Sequence, residues 1–286
     1  MGKILYYLIL KPLGWLPLAA LYPLSDLAYL IAYKILGYRK DVVFANLEKS
    51  FPQKTEQERR KIASKFYHYL MDLMVESIWY FGLTEKRVAK HLKVNNPELL
   101  NNIYDSGRGV ILILGHYGSW ELVLSSLNLL VQHQLSTIYI PLTNKTLDEV
   151  FLKMRKQFGA EMVAKKDFAN SIKEANKNMQ AIIFGADQSP SISKNIYWTN
   201  FLNQDTAVAL GAEKYAKLYD MPVVFTFLNR ERRGYYTVDF EMVSLNPRDE
   251  KEGVITERHV RLMEKQILAK PEFWLWSHKR WKKKRE

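Results

Sequence analysis

Val110 to Leu114 is an unbroken run of five aliphatic residues, and it constrains the fold of this 286-residue chain more than any other feature. A strand that shows one face to water alternates polar and apolar side chains, whereas a strand covered on both faces is apolar throughout. Residues 181–184 form a second such run, and segments with helical spacing of apolar residues lie between the strands. The sequence therefore predicts an α/β fold with a mostly parallel central sheet flanked by helices.

Capping and turn signals place the remaining elements. Thr55-Glu56-Gln57-Glu58 fits a capping box, so a helix is predicted to begin there and to run to about residue 80. Arg233-Gly234 has the composition of a hairpin turn. The other predicted elements are a short helix after Pro97, a helix to about residue 130, strands at 137–140, 222–228 and 235–243, and helices at 145–158, 206–219 and 253–270.

The first 38 residues are the most hydrophobic part of the chain. Between residues 4 and 33 only Lys11 and Asp26 are charged, and the longest uncharged run, residues 12–25, contains three prolines. This run is shorter than the roughly 20 apolar residues that a membrane-spanning helix needs. The prolines predict short helical pieces that are kinked or lie in the membrane interface. We predict a membrane-associated segment at 1–38 and one α/β domain at 39–286; a buried helical hairpin is the alternative for the segment.

Charge and composition exclude some functions and favour others. The absence of cysteine excludes disulfides, thiolate metal sites and cysteine nucleophiles. The formal net charge of +12 would attract nucleic acid, anionic lipid or an acidic protein. Six of the basic residues lie among the last nine positions, around Trp281. An aromatic residue among cations favours a membrane interface over a merely solvated tail.

A motif that bears chemistry follows the first apolar strand directly: Gly115-His116-Tyr117-Gly118-Ser119-Trp120-Glu121. Glu121 falls in the first turn of the next helix. There its carboxylate can accept a hydrogen bond from one imidazole nitrogen of His116 and leave the other nitrogen as a base. The backbone N–H groups near Gly118 and Ser119 can face substrate and developing negative charge.

We therefore predict that His116 and Glu121 are catalytic and that Gly118 and Ser119 bind substrate. With no cysteine available, the chemistry that suits this set is direct acyl transfer, in which His116 activates an acceptor hydroxyl against a thioester. A histidine that only caps a loop is the alternative.

Asp187 and Gln188 follow the second apolar strand in the same way. Ligands of open α/β sheets gather at the carboxyl ends of the strands, so this pair is predicted to lie on the same rim as His116 and to bind substrate. Asp187 would position substrate or support a basic side chain such as Arg155. A turn-forming aspartate is the alternative.

The remaining motifs give no support to a metal or nucleotide site. His68, His91, His133 and His259 are predicted to be structural, because none has the spacing and neighbours of a metal ligand. The sequence contains neither GxxxxGK[ST] nor GxGxxG.

These features together resemble the lipid A biosynthesis acyltransferases, the lauroyl and myristoyl transferases of the lysophospholipid acyltransferase superfamily. The resemblance covers nearly the whole chain. Its matching positions are Asn46-Leu47, Phe51-Pro52, His116, Glu121, Pro141, Asn144, Arg155, Gly159, Asp187-Gln188, Phe201, Thr206-Ala207, Gly211, Ala216, Pro271, Trp274, Trp276, His278, Arg280 and Lys282. No F-P-E-G block follows the histidine motif, which argues against the glycerol-phosphate branch.

The resemblance implies a bacterial inner-membrane enzyme whose active site faces the cytoplasm. It would move a fatty acyl chain from acyl carrier protein, or less often coenzyme A, to a hydroxyl of a lipid A precursor. It would need no other cofactor, no metal and no nucleic acid. His116 would be the general base with Glu121 as its partner, and Asp187 and Arg155 would be further site residues. An acidic carrier protein and an anionic glycolipid would be the partners of the basic surface. The closing motif of the family corresponds to residues 271–282 here. Its tryptophans, with Trp281, would sit at the membrane interface, and a core role is the alternative for Trp274 and Trp276.

Two departures from the family pattern leave the acceptor open. Ile140 stands where the family commonly has a basic residue, and Asn203 replaces a frequent glycine. An aminolipid or lysophospholipid acceptor is therefore the second hypothesis. A non-enzymatic protein that binds anionic membranes is the third, and it predicts that His116 and Glu121 are dispensable.

Overall fold

The computed structural model describes residues 6–190 and 195–285, and a seven-stranded sheet forms its centre. The strands are β1 (Leu92–Val94), β2 (Val110–Leu114), β3 (Gln134–Tyr139), β4 (Glu161–Ala164), β5 (Gln180–Gly185), β6 (Ile196–Phe201), β7 (Gln204–Ala209), β8 (Val223–Arg232) and β9 (Tyr235–Ser244). Their order in the sheet is β1-β9-β8-β2-β5-β3-β4, and β6 and β7 pair separately. All neighbours in the large sheet are parallel except the β8–β9 hairpin. The predicted α/β fold with a mostly parallel sheet is confirmed.

Helices cover both faces of this sheet. They are α1 (Lys11–Trp15), α2 (Leu18–Tyr29), α3 (Lys40–Ser50), α4 (Glu56–Trp79), α5 (Glu85–His91), α6 (Glu98–Asp105), α7 (Trp120–Ser126), α8 (Lys145–Lys156), α9 (Phe168–Ser171), α10 (Gly211–Tyr219) and α11 (Val254–Ala269). The central strand β2 supplies two cores: Ile111 and Ile113 pack on one face, and Val110, Leu112 and Leu114 on the other. Burial on both faces is the physical reason for its unbroken apolar sequence.

The capping box at the start of α4 forms as predicted. The Thr55 side chain accepts from the Glu58 amide, while the Glu58 carboxylate accepts from the Thr55 amide. The helix then runs for 24 residues through the domain, and twelve of its residues are buried. This long helix carries one wall of the candidate site.

The described part of the N-terminal segment is helical and has one break, at Pro17, whereas Pro12 lies in the first turn of α1 and Pro23 lies inside α2 without interrupting it. Helix α1 ends before Pro17, and α2 begins at Leu18 and continues into a π-helical turn at Leu30–Ile35. No single helix among the described residues is long and apolar enough to cross a membrane. The stretches Tyr6–Trp15 and Leu18–Ile35 meet the requirement only together, across a bend of 115°. Residues 1–5 of the predicted segment lie outside the described residues, and its boundary at residue 38 stays a prediction.

Helix α2 has one face on the protein and one in solvent. Leu18 and Leu21 are buried against α4, and the Ser25 hydroxyl donates to Asp72 on α4 at 2.6 Å. Large apolar side chains on the outer side of the segment are exposed: Tyr7, Leu8, Ile9, Trp15, Leu16, Leu24, Leu27, Leu30, Ile31, Ile35 and Leu36. We call these eleven residues the apolar outer face.

The predicted helix at 206–219 is wrong in its first part. Residues Gln204–Ala209 form strand β7, which pairs with β6 in register, so that Thr199 lies opposite Thr206. The tight turn between the strands uses Leu202 and Asn203 with positive φ angles of 51° and 62°. Helix begins only at Gly211. Six successive residues of β7 pair with β6, so the backbone groups of residues 204–209 find their hydrogen-bond partners across the hairpin and not within a helix.

The closing motif is buried rather than interfacial for two of its three tryptophans. Trp274 and Trp276 are 1% and 0% exposed and belong to the core. The predicted interfacial position is therefore wrong for both, and the core alternative is confirmed. Trp281 is half-buried, and its indole N–H donates to the Thr206 hydroxyl at 2.7 Å.

Candidate active site

The candidate site lies where the central strands β2 and β5 end side by side. These strands are parallel, with Leu114 opposite Gly185, and His116 and Asp187 each follow two residues later. The His116 Nδ1–H donates to Asp187 Oδ1 at 2.6 Å. The backbone N–H of His116 donates to Asp187 Oδ2 at 2.7 Å. The predicted meeting of the two strand ends is confirmed, and Asp187 holds both the ring and the main chain of the histidine.

Glu121 does not take the place that the sequence predicts for it. Its carboxylate accepts two hydrogen bonds from one edge of the Arg155 guanidinium, from Nε to Oε2 at 2.9 Å and from Nη2 to Oε1 at 2.5 Å. The predicted hydrogen bond from His116 to Glu121 is thus replaced by the bond to Asp187. Arg155 pairs with Glu121 and not, as predicted, with Asp187. The Glu121–Arg155 ion pair joins α7 to α8. The negative charge of Glu121 lies close enough to His116 to contribute to its raised pKa.

Burial and charge oppose each other in the pKa values of the pair. Burial raises the pKa of the Asp187 carboxyl, but the charge and hydrogen bonds of His116, with a hydrogen bond from Trp274, outweigh it and hold the pKa at about 2. Burial lowers the pKa of His116, but the charge and hydrogen bond of Asp187, and the charge of Glu121, raise it above the ordinary value. An ionised aspartate that raises the basicity of a histidine is the arrangement of a general base and its orienting group.

The second imidazole nitrogen faces the surface. Asp187 assigns the proton of the neutral ring to Nδ1, so Nε2 carries the lone pair. The side-chain amide nitrogen of Gln188, which is exposed, lies 3.1 Å from this Nε2. A hydroxyl that took the place of this amide would meet the basic nitrogen at hydrogen-bonding distance. Gln188 is thus brought to the site, as predicted from its strand end.

Gly118 and Ser119 lie in the loop between β2 and α7 and face the interior of the protein. The Gly118 N–H donates to the Phe273 carbonyl at 3.1 Å, and its carbonyl accepts from the Tyr69 hydroxyl. Its φ of 58° and the closeness of Leu228 leave no space for a Cβ. Ser119 is buried with its hydroxyl against that of Tyr80. These surroundings do not support the predicted contact of the two residues with substrate.

A groove opens beside the site. It has a volume of about 320 Å³ and is lined by Tyr38, Arg39, Leu70, Leu73, Met74, Ser77, Trp120, Leu275, Ser277 and His278. Its apolar lining comes mainly from α4 and the closing motif. The Trp120 ring, which lines the groove, contacts His116 edge to face with ring centres 5.2 Å apart, so one side chain lies between the groove and the histidine.

Trp274 is a further residue of the site, although the sequence predicts only an interfacial or core position for it. Its indole N–H donates to Asp187 Oδ2 at 2.8 Å. A buried tryptophan needs an acceptor for this N–H, and that requirement is the only sequence signal that points to such a contact.

One group of side chains on the other side of α4 has the spacing of metal ligands. Atoms of Asp26, His68 and Asp72 lie within 4.8 Å of one another. However, Arg230 donates to Asp72 at 2.6 Å, and Arg233 donates to both Asp72 and Asp26. The guanidinium groups already neutralise the carboxylates, so we assign these five residues to an ion-pair cluster that joins α2, α4 and the β8–β9 hairpin.

Comparison with known proteins places the chain in a family. The sequence profile described as bacterial lipid A biosynthesis acyltransferase matches residues 1–283. The lipid A biosynthesis lauroyltransferase of Escherichia coli (strain K12) is 24% identical over an aligned length of 289 residues, gaps included, and the alignment covers 96% of this chain and 92% of that protein. The lipid A biosynthesis palmitoleoyltransferase of the same strain is 25% identical over 258 residues, which span 88% of this chain and 81% of that protein. Because the profile covers nearly the whole sequence, the chain belongs to the bacterial lipid A biosynthesis acyltransferase family and is an acyltransferase enzyme.

Proposed function

We propose that the protein transfers a fatty acyl chain from an acyl carrier protein or coenzyme A thioester to a hydroxyl of a lipid A precursor. His116 is the general base of this reaction, and Asp187 is its orienting partner. The observation that carries the proposal is the 2.6 Å bond between His116 Nδ1 and the buried Asp187 carboxylate, which leaves Nε2 as the base. The acceptor class follows from the names of the relatives, which are lipid A lauroyl- and palmitoleoyltransferases.

The reaction proceeds by direct exchange of a thioester for an oxygen ester. His116 Nε2 takes the proton of the acceptor hydroxyl as the oxygen attacks the thioester carbonyl. The C–S bond then breaks, and the thiolate receives the proton from the imidazolium, so that an ester and a free thiol result. Asp187 stays ionised throughout and stabilises the imidazolium. No electrons are gained or lost, so the exchange needs no cofactor beyond the thioester itself.

The groove beside His116 is the proposed site of the acyl chain. Leu70, Leu73, Met74 and Leu275 supply apolar contacts along it, and its Trp120 ring contacts His116. Each methylene removed from water contributes about 0.8 kcal/mol, so a chain of this kind gains most of its affinity from such a lining. Arg39 and His278 line the same groove and offer donors to polar parts of the substrate.

The apolar outer face supports association with the bacterial inner membrane. Its eleven residues, all between positions 7 and 36, form an exposed apolar surface that a lipid bilayer would cover. The net charge of +12 suits both an anionic bilayer and an acidic carrier protein. Because the thioester donors are cytoplasmic, the active site would face the cytoplasm.

The test is acyl transfer from labelled acyl carrier protein to lipid A precursor and to total host lipids. We expect a labelled lipid A species with the wild type and none with His116→Ala. His68→Ala is the matched control, since His68 lies in the ion-pair cluster and not at the strand ends. Full activity of His116→Ala would overturn the proposed mechanism. Label in an aminolipid or phospholipid alone would keep the mechanism and replace the acceptor.

A further inference from the structure

We infer that Trp274 is a positioning residue of the active site, which acts through Asp187. Its indole N–H holds the carboxylate in the one orientation that directs His116 Nδ1. The inference rests on the proposed function of His116 and Asp187 and extends it to the closing segment of the chain.

The hydrogen bonds of Asp187 show why a donor other than His116 matters. Among the described residues, three bonds reach this carboxylate: His116 Nδ1 at Oδ1, and the His116 amide and Trp274 Nε1 at Oδ2. Two of the three come from the residue that Asp187 has to orient. Within the part of the chain that the structure describes, Trp274 is the one donor to this carboxylate other than His116, so it fixes Asp187 and His116 relative to the rest of the site.

The indole is itself held firmly. Trp274 is 1% exposed, and its ring packs edge to face against Trp276, Phe201 and Trp281 at centre distances of 4.7, 6.0 and 6.0 Å. The backbone of Trp274 forms an antiparallel bridge with Tyr117, the residue after His116. The same residue therefore fixes the carboxylate through its side chain and the histidine loop through its main chain.

The indole N–H also shares the negative charge of Asp187. A carboxylate that loses one donor interacts more strongly with those that remain, because its charge is less well solvated. Loss of the indole N–H is thus expected to raise the basicity of His116 while it loosens the ring. A change that only disturbed the fold would have no reason to move the titration of His116 in this direction.

The experiment compares Trp274→Phe with Trp276→Phe by the pH profile of kcat/KM for acyl transfer. Trp276 is the matched control, because it is equally buried but donates its indole N–H to the Pro271 carbonyl. For Trp274→Phe we expect kcat to fall on the order of tenfold, KM for the thioester to change less than about twofold, and the acidic limb to move to higher pH. For Trp276→Phe the limb should stay in place. An acidic limb of Trp274→Phe at the wild-type pH would overturn the inference.

A double-mutant cycle gives a second reading. If Trp274 acts through Asp187, adding Trp274→Phe to Asp187→Asn costs no further rate, whereas independent roles would give additive losses and refute the inference.

Should Trp274→Phe fail to fold, benzothienylalanine at position 274 keeps the bicyclic shape and replaces the N–H with sulfur. The proposed function fails separately, if His116→Ala and Asp187→Asn keep full activity. If both are inactive while the Trp274 variants behave like the wild type, only this inference fails.

Discussion

Asp187→Asn is the substitution whose outcome the hydrogen bonds specify most closely. Oδ2 of Asp187 receives two donors, the His116 amide at 2.7 Å and Trp274 Nε1 at 2.8 Å. An asparagine must therefore place its one carbonyl oxygen at this position and turn its NH₂ group toward His116 Nδ1. A donor facing Nδ1 forces that nitrogen to accept, so the proton of the neutral ring moves to Nε2. The variant would keep its shape and lose its base.

The expected loss in kcat is on the order of 10³ to 10⁴, the size of effect that a wrong histidine tautomer produces in a serine protease. This corresponds to about 4 to 5.5 kcal/mol of transition-state stabilisation. The assay is single-turnover transfer of a labelled acyl chain between pH 6 and pH 9. Because a change of pH does not restore the correct tautomer, the loss of activity should persist across this range. Asp220→Asn, at a left-handed position that asparagine tolerates, is the matched control. Activity of Asp187→Asn within tenfold of the wild type would refute the assignment of Asp187 as the orienting partner.

Three further predictions address the charges around the site and the ion-pair cluster. Activity needs neutral His116, whose pKa is raised, so the acidic limb of kcat/KM should lie above pH 6.5; a limb at or below that value would contradict the pairing with Asp187. Glu121→Gln and Arg155→Gln should be coupled by about 0.5 to 3 kcal/mol of activation free energy, because the two side chains bind each other; strict additivity in a double-mutant cycle would count against this. Asp72→Ala should lower the free energy of unfolding by about 3 to 5 kcal/mol, since it removes the buried carboxylate that pairs with Arg230, whose side chain is only 9% exposed; a loss below about 1 kcal/mol in chemical denaturation would show that the cluster contributes little.

The parts of the fold that follow local rules could be predicted from the sequence. The unbroken apolar run of β2, the capping box at Thr55 and the turn at Arg233-Gly234 each depend on nearby residues, and all three appear as predicted. The hairpin of β6 and β7 was not predicted, because its turn uses Leu202 and Asn203 at positive φ and carries no glycine signal.

The candidate site shows the same division between local and distant contacts. The rule for strand ends correctly brought Asp187 and Gln188 to His116. The spacing of five residues predicts Glu121 as the partner of His116, whereas the partner in the structure, Asp187, lies 71 positions away in the chain. Glu121 is taken by Arg155, 34 positions distant, and Trp274 reaches Asp187 from the far end of the domain. Spacing along the chain carries no information on such pairings.

The ion-pair cluster has a consequence for how the N-terminal segment relates to catalysis. Asp26 and Ser25 on α2 are bound through Asp72 and Arg233 to α4 and the β8–β9 hairpin, and α4 also lines the groove. Helix α2 is therefore fixed in place on α4 and the β8–β9 hairpin. In the proposed membrane-bound state it would set the height and tilt of the groove above the bilayer. Met74, which lines the groove and is half exposed, would then give a lipid tail a path from the bilayer that stays in contact with apolar surface.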